Sequence, residues 1–365
     1  MSANISGRSA ESILSSVISG ERLSCSDALV LIDHAPLEAL ASAAVEVKRR
    51  ISKDRVYYNN NFHIEPTNIC RYNCRFCSYR RSISDPDGWN MSLDEIARQV
   101  ASHAQSGITE VHLVGGVHPQ ATLEGYLDIV RLVRRMMPQA SIKAFSAIEH
   151  IYVFDKAGIS FEEGLKRFSD AGMDTLTGGG AEIFEPSVRE RICPDKPSGE
   201  RWLELHKAAH KLGIATNATM LYGHIESHAD RISHMELLRR LQDITGGFNA
   251  FIPLKYRHAG NSMSHLGECS LEEDLRTLAV SRLFLDNIPH IKAYWPMYGA
   301  EATRSALSYG ADDIDGTVAD TTRIYSMAGV RSPGLTLDRL RDMAAEAGFV
   351  PVERDTFYNE VTAHD

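Results

Sequence analysis

The spacing of hydrophobic residues changes near residue 50. Before that point, apolar residues recur at the spacing of amphipathic helices, from Ala10 to Ile18, from Ala28 to Ile32 and from Leu37 to Val47. After it, the alternating pattern across Val56–Glu65 is typical of a strand. The pattern therefore predicts a helical N-terminal segment, 1–50, followed by a region that begins with a strand.

Beyond this strand, short β-like stretches alternate with helical stretches. Ser-x-x-Glu sequences at Ser92, Ser160 and Ser270 are typical of helix N-termini, and the first of these helices is predicted to reach about Ser106. The predicted strands are Glu110–Val114, Ile142–Ala147, Asp174–Leu176, Ile214–Leu221, Ala250–Leu254, His290–Trp295 and Ala311–Thr317. The predicted helices between them are Leu123–Met137, Phe161–Ala171, Glu200–Leu212, His228–Thr245 and Leu271–Leu285.

Repeated β–α units predict an α/β fold with a parallel sheet, and seven or eight units suit a TIM-like (β/α) barrel better than an open sheet. We expect this barrel to span 51–320, with the helical segment 1–50 before it and a C-terminal extension, 321–365, packed on it. In such a barrel the chemistry lies at the C-terminal ends of the strands. Glycine, histidine, glutamate and asparagine are frequent there, which favours a shared polar cavity.

Composition narrows the possible functions. The 365 residues carry a formal net charge of −9, which argues against a general nucleic-acid-binding protein. No apolar run approaches the roughly 18 residues of a membrane span, and the N-terminus lacks the pattern of a secretory signal. We therefore expect a cytoplasmic enzyme with no membrane or nucleic-acid partner.

Three of the six cysteines, Cys70, Cys74 and Cys77, lie within eight residues directly after the first predicted strand. Their C-x3-C-x2-C spacing allows three thiolates to bind three irons of a [4Fe–4S] cubane and leaves the fourth iron open. A zinc site made from these cysteines and a remote histidine is the alternative. Structural zinc sites usually combine two pairs of closely spaced cysteines of the C-x2-C type, and the sequence has no second such pair.

The cysteine motif, with the aromatic Phe76 before its last cysteine, resembles the signature of the radical S-adenosylmethionine (SAM) superfamily. Within it, the chain resembles the aminodeoxyfutalosine synthase family of the futalosine route to menaquinone, from about residue 50 to Val361. The sequences that carry this resemblance are His63–Cys70, Val114–Pro119, Gly178–Ile183, Asn217–Glu226, Thr245–Phe248 and Asp312–Thr317. Gly223–Glu226 also resembles the sister family that makes cyclic dehypoxanthinyl futalosine, and the deazaflavin-cofactor synthases share the broader pattern.

The resemblance implies a [4Fe–4S] cluster on the three cysteines and SAM as a cosubstrate. Reduction by a one-electron donor such as flavodoxin or ferredoxin would split SAM into methionine and a 5′-deoxyadenosyl radical. In the aminodeoxyfutalosine synthase family this radical adds to the enol-ether double bond of 3-[(1-carboxyvinyl)oxy]benzoate. Aryl migration and loss of the carboxyl group then give 6-amino-6-deoxyfutalosine. The sister family would instead release free 5′-deoxyadenosine, and a non-catalytic iron–sulfur sensor would not cleave SAM.

The resemblance also implies roles for individual residues. Phe76 would shield the cluster, Gly115 and Gly116 would let the backbone approach SAM, and Glu182 would hold the ribose hydroxyls. An ion pair of Glu182 with Arg189 or Arg191 is the alternative, and Arg191 is itself a cofactor-binding candidate. The two substrate carboxylates require cations and donors, with candidates at His63, Asn68, Arg80, Arg81, His118, Lys255 and Arg257. His224, Glu226 and Asp315 are candidates for proton transfer, for orienting a neighbour, or for satisfying buried donors.

Overall fold

The computed structural model describes residues 7–103, 107–319, 322–330 and 334–361. Within these ranges the strands are β1 Arg55–Asn59, β2 Asn61–Ile64, β3 Glu110–Leu113, β4 Ser141–Ser146, β5 Thr175–Thr177, β6 Thr216–Tyr222, β7 Phe248–Lys255, β8 His290–Ile291, β9 Asp313–Gly316 and β10 Val350–Glu353. The helices are α1 Ala10–Ile18, α2 Cys25–His34, α3 Leu37–Ser52, α4 Leu93–His103, α5 Leu123–Met136, α6 Ala147–Ala157, α7 Phe161–Ala171, α8 Pro186–Ile192, α9 Gly199–Lys211, α10 His228–Thr245, α11 Leu271–Phe284, α12 Trp295–Tyr298, α13 Ala300–Ala306, α14 Arg323–Ser326 and α15 Leu337–Glu346.

The main sheet is a parallel, curled sheet of seven strands, β2 to β8, in chain order. A second parallel sheet has the order β10–β1–β9. The two sheets meet where Ala319 N–H donates to the Asn61 carbonyl at 3.0 Å and where Ala293 N–H donates to the Asp313 carbonyl at 2.8 Å. The curled sheet is thus closed through β9, which confirms the predicted TIM-like barrel.

The predicted first strand, Val56–Glu65, is two strands that part at Asn60. Residues before Asn60 pair with β9 and β10, and residues after it pair with β3, so the chain changes partners at this point. The side-chain amide of Asn60 donates to the Gly107 carbonyl at 2.9 Å and so holds the chain where it changes partners. The predicted strand His290–Trp295 is also shorter, because α12 begins at Trp295.

Several elements went unpredicted. Helix α6 follows β4 without a loop, since Ser146 and Glu149 form a capping box at its N-terminus. Helices α8, α13 and α15 and strand β10 were missed as well. The predicted helix end at Ser106 and the predicted boundary between 320 and 321 lie outside the described residues, and the division into 1–50, 51–320 and 321–365 stays a prediction.

The three N-terminal helices form as predicted and pack beside the barrel. Arg22 pairs with Asp243 of α10 at 2.7 Å and with Asp286, just after α11, at 2.9 Å. The Arg239 guanidinium donates to the Leu23 carbonyl at 2.8 Å. These contacts place the first two helices against α10 and the turn that leads into β8.

Strand alternation decides which side chains enter the barrel. On β2 and β3, Phe62 and Val111 are fully buried in the apolar layer beneath the helices. The alternate residues, His63 and His112, border the interior cavity instead. The barrel wall therefore has an apolar outer face and a polar inner face on this side.

Candidate active site

A cavity of about 310 Å³ opens at the C-terminal ends of the barrel strands. Its mouth is formed by the cysteine loop and the glycine turns after β3 and β5, and its depth by inward side chains of the strands. Of the residues predicted to have functional roles, the cavity gathers His63, Cys70, Cys74, Phe76, Cys77, Gly115, Gly116, Glu182, Lys255, Arg257 and Asp315.

The cysteine loop is held by backbone hydrogen bonds on both sides. Cys70 N–H donates to the Arg81 carbonyl at 3.0 Å, and Cys77 N–H donates to the Cys74 carbonyl at 3.1 Å. Arg71 N–H donates to the Val117 carbonyl at 2.9 Å, which ties the loop to the turn after β3. All three thiols are free and border the same cavity.

Burial and nearby positive groups have opposite effects on two of these thiols. Burial raises the pKa of Cys74 and of Cys77, so a bare thiolate is unfavourable at either position. The Lys196 ammonium opposes this rise at both thiols, and the backbone N–H groups of Tyr79 and Arg80 oppose it at Cys77. The three thiols thus fit the predicted cubane, whose irons would replace their protons.

Among the described residues, no three His, Cys, Asp or Glu side chains are close enough together to hold a metal ion. In a cubane, each cysteine binds a different iron, so its ligands need not converge on one point.

The glycine turn after β3 lies directly against the cysteine loop. A Cβ on Gly115 would lie 2.8 Å from the Thr67 carbonyl oxygen, and one on Gly116 would lie 2.6 Å from the Ile69 carbonyl oxygen. Neither position has room for a side chain. The absence of side chains lets the turn pack on the residues just before Cys70 while it borders the cavity.

Glu182 follows the three glycines after β5 and has a left-handed backbone, with φ of 51°. A non-glycine residue in this conformation is strained, which is a common feature of binding sites. Its carboxylate pairs with Lys196 rather than with Arg189 or Arg191, the partners considered from the sequence. Lys196 also lies 5.4 Å from the centre of the Phe76 ring. No local pattern indicated a role for Lys196, because only the fold brings the loop after α8 to the cavity.

Deeper in the barrel, charged side chains form two buried ion pairs. Lys143 pairs with Glu110 at 2.7 Å, and Lys292 pairs with Asp315 at 2.7 Å. Although burial opposes ionisation, the neighbouring lysines hold the pKa values of Glu110 and Asp315 below their ordinary range. Asp315 is therefore a fixed anion, which does not suit the proton-transfer role considered for it.

His63 and His112 complete this inner layer. They are direct neighbours in the β2–β3 register, and His112 is the neighbour of Lys143 in the β3–β4 register. Their ring centres are 4.5 Å apart. Sequence reasoning selected His63 but missed His112, Lys143 and Lys292. Polar residues at alternate positions of a buried strand were the available signal.

Two of the predicted catalytic residues do not border this cavity. Both ring nitrogens of His224 are engaged in its own turn: Nε2 contacts the Leu221 carbonyl at 3.2 Å, and Nδ1 accepts from Ile225 N–H at 2.7 Å. The Glu226 carboxylate accepts from Gly223 N–H at 2.6 Å and from Arg231 at 2.8 Å. Both side chains are fully buried in the turn after β6, which favours a structural role over proton transfer.

Several binding candidates also lie away from this cavity. Asn68 is buried and bonds the loop at 87–89, accepting from Trp89 N–H at 2.8 Å. Arg81 pairs with Asp87 at 2.7 Å, and Arg191 is exposed. Arg80 contributes its backbone N–H to Cys77, as described above, but its side chain does not border the cavity. His118 borders a second cavity, of about 340 Å³, on the other side of the Gly115–Gly116 turn.

Comparison with known proteins agrees with this arrangement. Residues 64–238 match the model of the radical SAM superfamily, and residues 245–364 match the "CofH/MqnC C-terminal region". The chain is 44% identical to the aminodeoxyfutalosine synthase of Thermus thermophilus over 97% of this chain and 96% of that protein. The chain belongs to the aminodeoxyfutalosine synthase family of radical SAM enzymes.

Other members and relatives of this family are also similar. The aminodeoxyfutalosine synthase of Streptomyces coelicolor is 38% identical, over 94% of this chain and 91% of that protein. The cyclic dehypoxanthine futalosine synthase of the same organism is 36% identical, over 97% and 89%. The radical SAM superfamily implies SAM and a [4Fe–4S] cluster.

Solved structures show that the fold is shared more widely than the sequence. Methylornithine synthase superposes with a TM-score of 0.72 at 16% identity, over 93% of this chain and 97% of that one. The FeFe-hydrogenase maturase HydG from Carboxydothermus hydrogenoformans gives 0.74 at 18%, over 96% and 80%. Across the described ranges of the chain, no helix combines the length and apolar character needed to cross a membrane.

Proposed function

We propose that this chain is an aminodeoxyfutalosine synthase that joins the 5′-deoxyadenosyl group of SAM to 3-[(1-carboxyvinyl)oxy]benzoate. The product would be 6-amino-6-deoxyfutalosine, formed with aryl migration and loss of the carboxyl group, in menaquinone biosynthesis. The observation that carries the proposal is the 44% identity to a synthase over nearly the whole of both chains, against 36% to the sister cyclase.

The residues of the cavity suit this reaction. Cys70, Cys74 and Cys77 would hold the cluster, which supplies the electron that cleaves SAM. The carbonyls of the Gly115–Gly116 turn would accept hydrogen bonds from the SAM ammonium, and Glu182 from the ribose hydroxyls. The walls of the barrel would keep water from the radical and hold the vinyl carbon at near-attack distance.

The N–H donors of the cavity suit a dianionic substrate. Lys143, Lys292, Lys255 and Arg257 border it, and each is paired with a carboxylate but has further N–H donors. A buried carboxylate requires such cations and donors, because its desolvation is otherwise costly. We also expect an external one-electron donor, such as flavodoxin or ferredoxin.

Product analysis tests the proposal. The reconstituted holoenzyme is incubated anaerobically with dithionite, SAM and the enolpyruvyl benzoate, and the products are identified by mass spectrometry. We expect one methionine for each molecule of a product that contains the adenosyl group. In a parallel incubation with dehypoxanthinyl futalosine in place of the enolpyruvyl benzoate, stoichiometric free 5′-deoxyadenosine and a cyclised product would assign the chain to the sister activity. A Cys74→Ala variant is the negative control.

A further inference from the structure

Two neighbouring histidines on the cavity wall lack hydrogen bonds. The Nε2 atoms of His63 and His112 are buried and have no partner, and among the described residues no hydrogen bond engages either Nδ1. Both rings border the cavity, and His63 is only 5% exposed. A buried polar group without a partner costs free energy, so a pair of such rings at one place points to a ligand that supplies the partner.

The charged side chains nearby are already paired. Around the two rings lie Glu110 with Lys143 and Asp315 with Lys292, each pair at 2.7 Å. Behind them, Arg354 pairs with Asp313 at 2.7 Å. The formal charges of this layer balance, and the two imidazoles and the Arg354 guanidinium have buried nitrogens without a partner among the described residues.

This layer suits an anion better than a cation or an apolar group. Burial lowers the pKa of His63 to about 4, so its ring is neutral at pH 7 and has one N–H donor. His112 is neutral for the same reason. Each neighbouring lysine has three N–H donors and gives one hydrogen bond to its carboxylate partner. A carboxylate has two acceptor oxygens, which match these convergent donors.

The depth of the layer decides which carboxylate it takes. His112 precedes Gly115 by three residues, which is roughly 10 Å along an extended strand. The vinyl end of the substrate must lie near the glycine turn and the cysteine loop, where SAM would bind. An aromatic ring below it directs a carboxylate at its meta position towards the two histidines.

We propose that His63 and His112, supported by Lys143 and Lys292, form the subsite for the ring carboxylate of the substrate. This inference rests on the proposed function. At the cavity mouth, Lys255 is bonded to Asp274 and to the Cys269 carbonyl, whereas Arg257 is paired with Glu268 and keeps a buried Nε without a partner in the described part of the chain, which suits the enolpyruvyl carboxylate. The mouth is left to SAM and to the enolpyruvyl end.

Two substrates that differ only in the ring carboxylate test the subsite. The enolpyruvyl benzoate is compared with 2-phenoxyacrylate, which lacks only the ring carboxylate, by measuring kcat/KM with the holoenzyme. Wild type should prefer the carboxylated substrate. In His63→Phe and His112→Phe, which keep an aromatic ring but lose its nitrogens, we expect kcat/KM for that substrate to fall ~10- to 100-fold. The value for 2-phenoxyacrylate should stay within about twofold of wild type.

Direct binding gives an independent measurement. Without reductant, the Kd of the enolpyruvyl benzoate should rise by the same factor in both variants, while SAM binding and iron content stay unchanged. His63→Asn, which keeps an amide donor, should recover part of the affinity. His150→Phe is the matched control, since His150 also has a buried ring nitrogen without a partner but does not border the cavity.

The outcomes separate the two proposals. If wild type makes no adenosylated product from the enolpyruvyl benzoate, the proposed function fails. If wild type is active but the variants keep its preference for the carboxylated substrate, the subsite is elsewhere. Equal losses with both substrates would show that the histidines only support the barrel wall, and would also overturn the assignment.

Discussion

The carboxylate of Glu149 accepts a hydrogen bond from the backbone N–H of Gly115 at 3.1 Å. The same carboxylate accepts from the Ser146 N–H at 2.7 Å and from the Ser146 hydroxyl, and so caps α6. Glu149 is 1% exposed and occupies the third position of its helix. One buried side chain thus connects the end of β4 to the glycine turn that is proposed to bind SAM.

Replacing Glu149 with glutamine should weaken SAM binding. Burial raises the pKa of Glu149 to about 8, so the comparison is made at pH 9, where this side chain is a carboxylate. The amide has one acceptor oxygen, so its NH₂ group must face a backbone donor of either Gly115 or Ser146. The loss of one buried hydrogen bond costs about 1–3 kcal/mol, and we expect the KM for SAM to rise ~10-fold. The control is Glu163→Gln, at the same position of α7 but on the surface, which should leave the KM unchanged. An unaltered KM in Glu149→Gln would refute this role.

Gly116→Ala should disturb the cysteine loop. The added Cβ would lie 2.6 Å from the Ile69 carbonyl oxygen, and the neighbouring atoms are backbone, so one of the two segments must move. We expect about 1–3 kcal/mol of destabilisation, with lower iron content after reconstitution. In the control, Gly125→Ala, the Cβ meets only the Thr122 hydroxyl at 3.2 Å. Equal iron content in the two variants would contradict the proposed packing.

Cys70, Cys74 and Cys77 should each be required for the cluster. We expect alanine at any one of them to abolish the iron–sulfur absorbance and the reductive cleavage of SAM together. Cys25→Ala should keep both, because this thiol is exposed on α2 and distant in sequence from the loop. Full iron content and activity in any of the three loop variants would remove that residue from the ligand set.

Buried histidines should make the fold sensitive to mild acid. Burial lowers the pKa of His63, His150 and His210 to about 4 and of His234 to about 3. The unfolded chain, with histidine pKa values near 6.5, binds more protons than the folded chain between pH 6.5 and 4. The free energy of unfolding should therefore fall as pH decreases through this window, by up to ~1.4 kcal/mol per pH unit for each histidine.

Urea unfolding between pH 7.5 and 5 measures this dependence. His234→Asn removes one titrating ring and should reduce the slope, because an amide cannot take up the proton. His265→Asn, on a 3₁₀ turn at the surface, should leave the slope unchanged. A free energy of unfolding that is constant over this range would contradict the burial argument.

Local patterns predicted the elements that local interactions determine. Helices α7 and α10 begin and end at the predicted residues, Phe161–Ala171 and His228–Thr245, and the predicted cap of α7 is present at Ser160. The cysteine spacing and the glycines after β3 identified the mouth of the cavity for the same reason. Helix α6 was missed because its cap, Ser146, is also the last residue of a buried strand.

The sequence by itself determined the parallel barrel and three thiols on one loop, since hydrophobic periodicity and residue spacing are local properties of the chain. The tertiary structure decided which polar residues share the cavity. It placed Lys196 beside Glu182. It also buried His224 and Glu226 in the turn after β6, where they are bonded within the turn and do not border the cavity. It also set His63 next to His112 across two strands. Such contacts depend on barrel closure and strand register, and residues far apart in the chain carry no local signal of either.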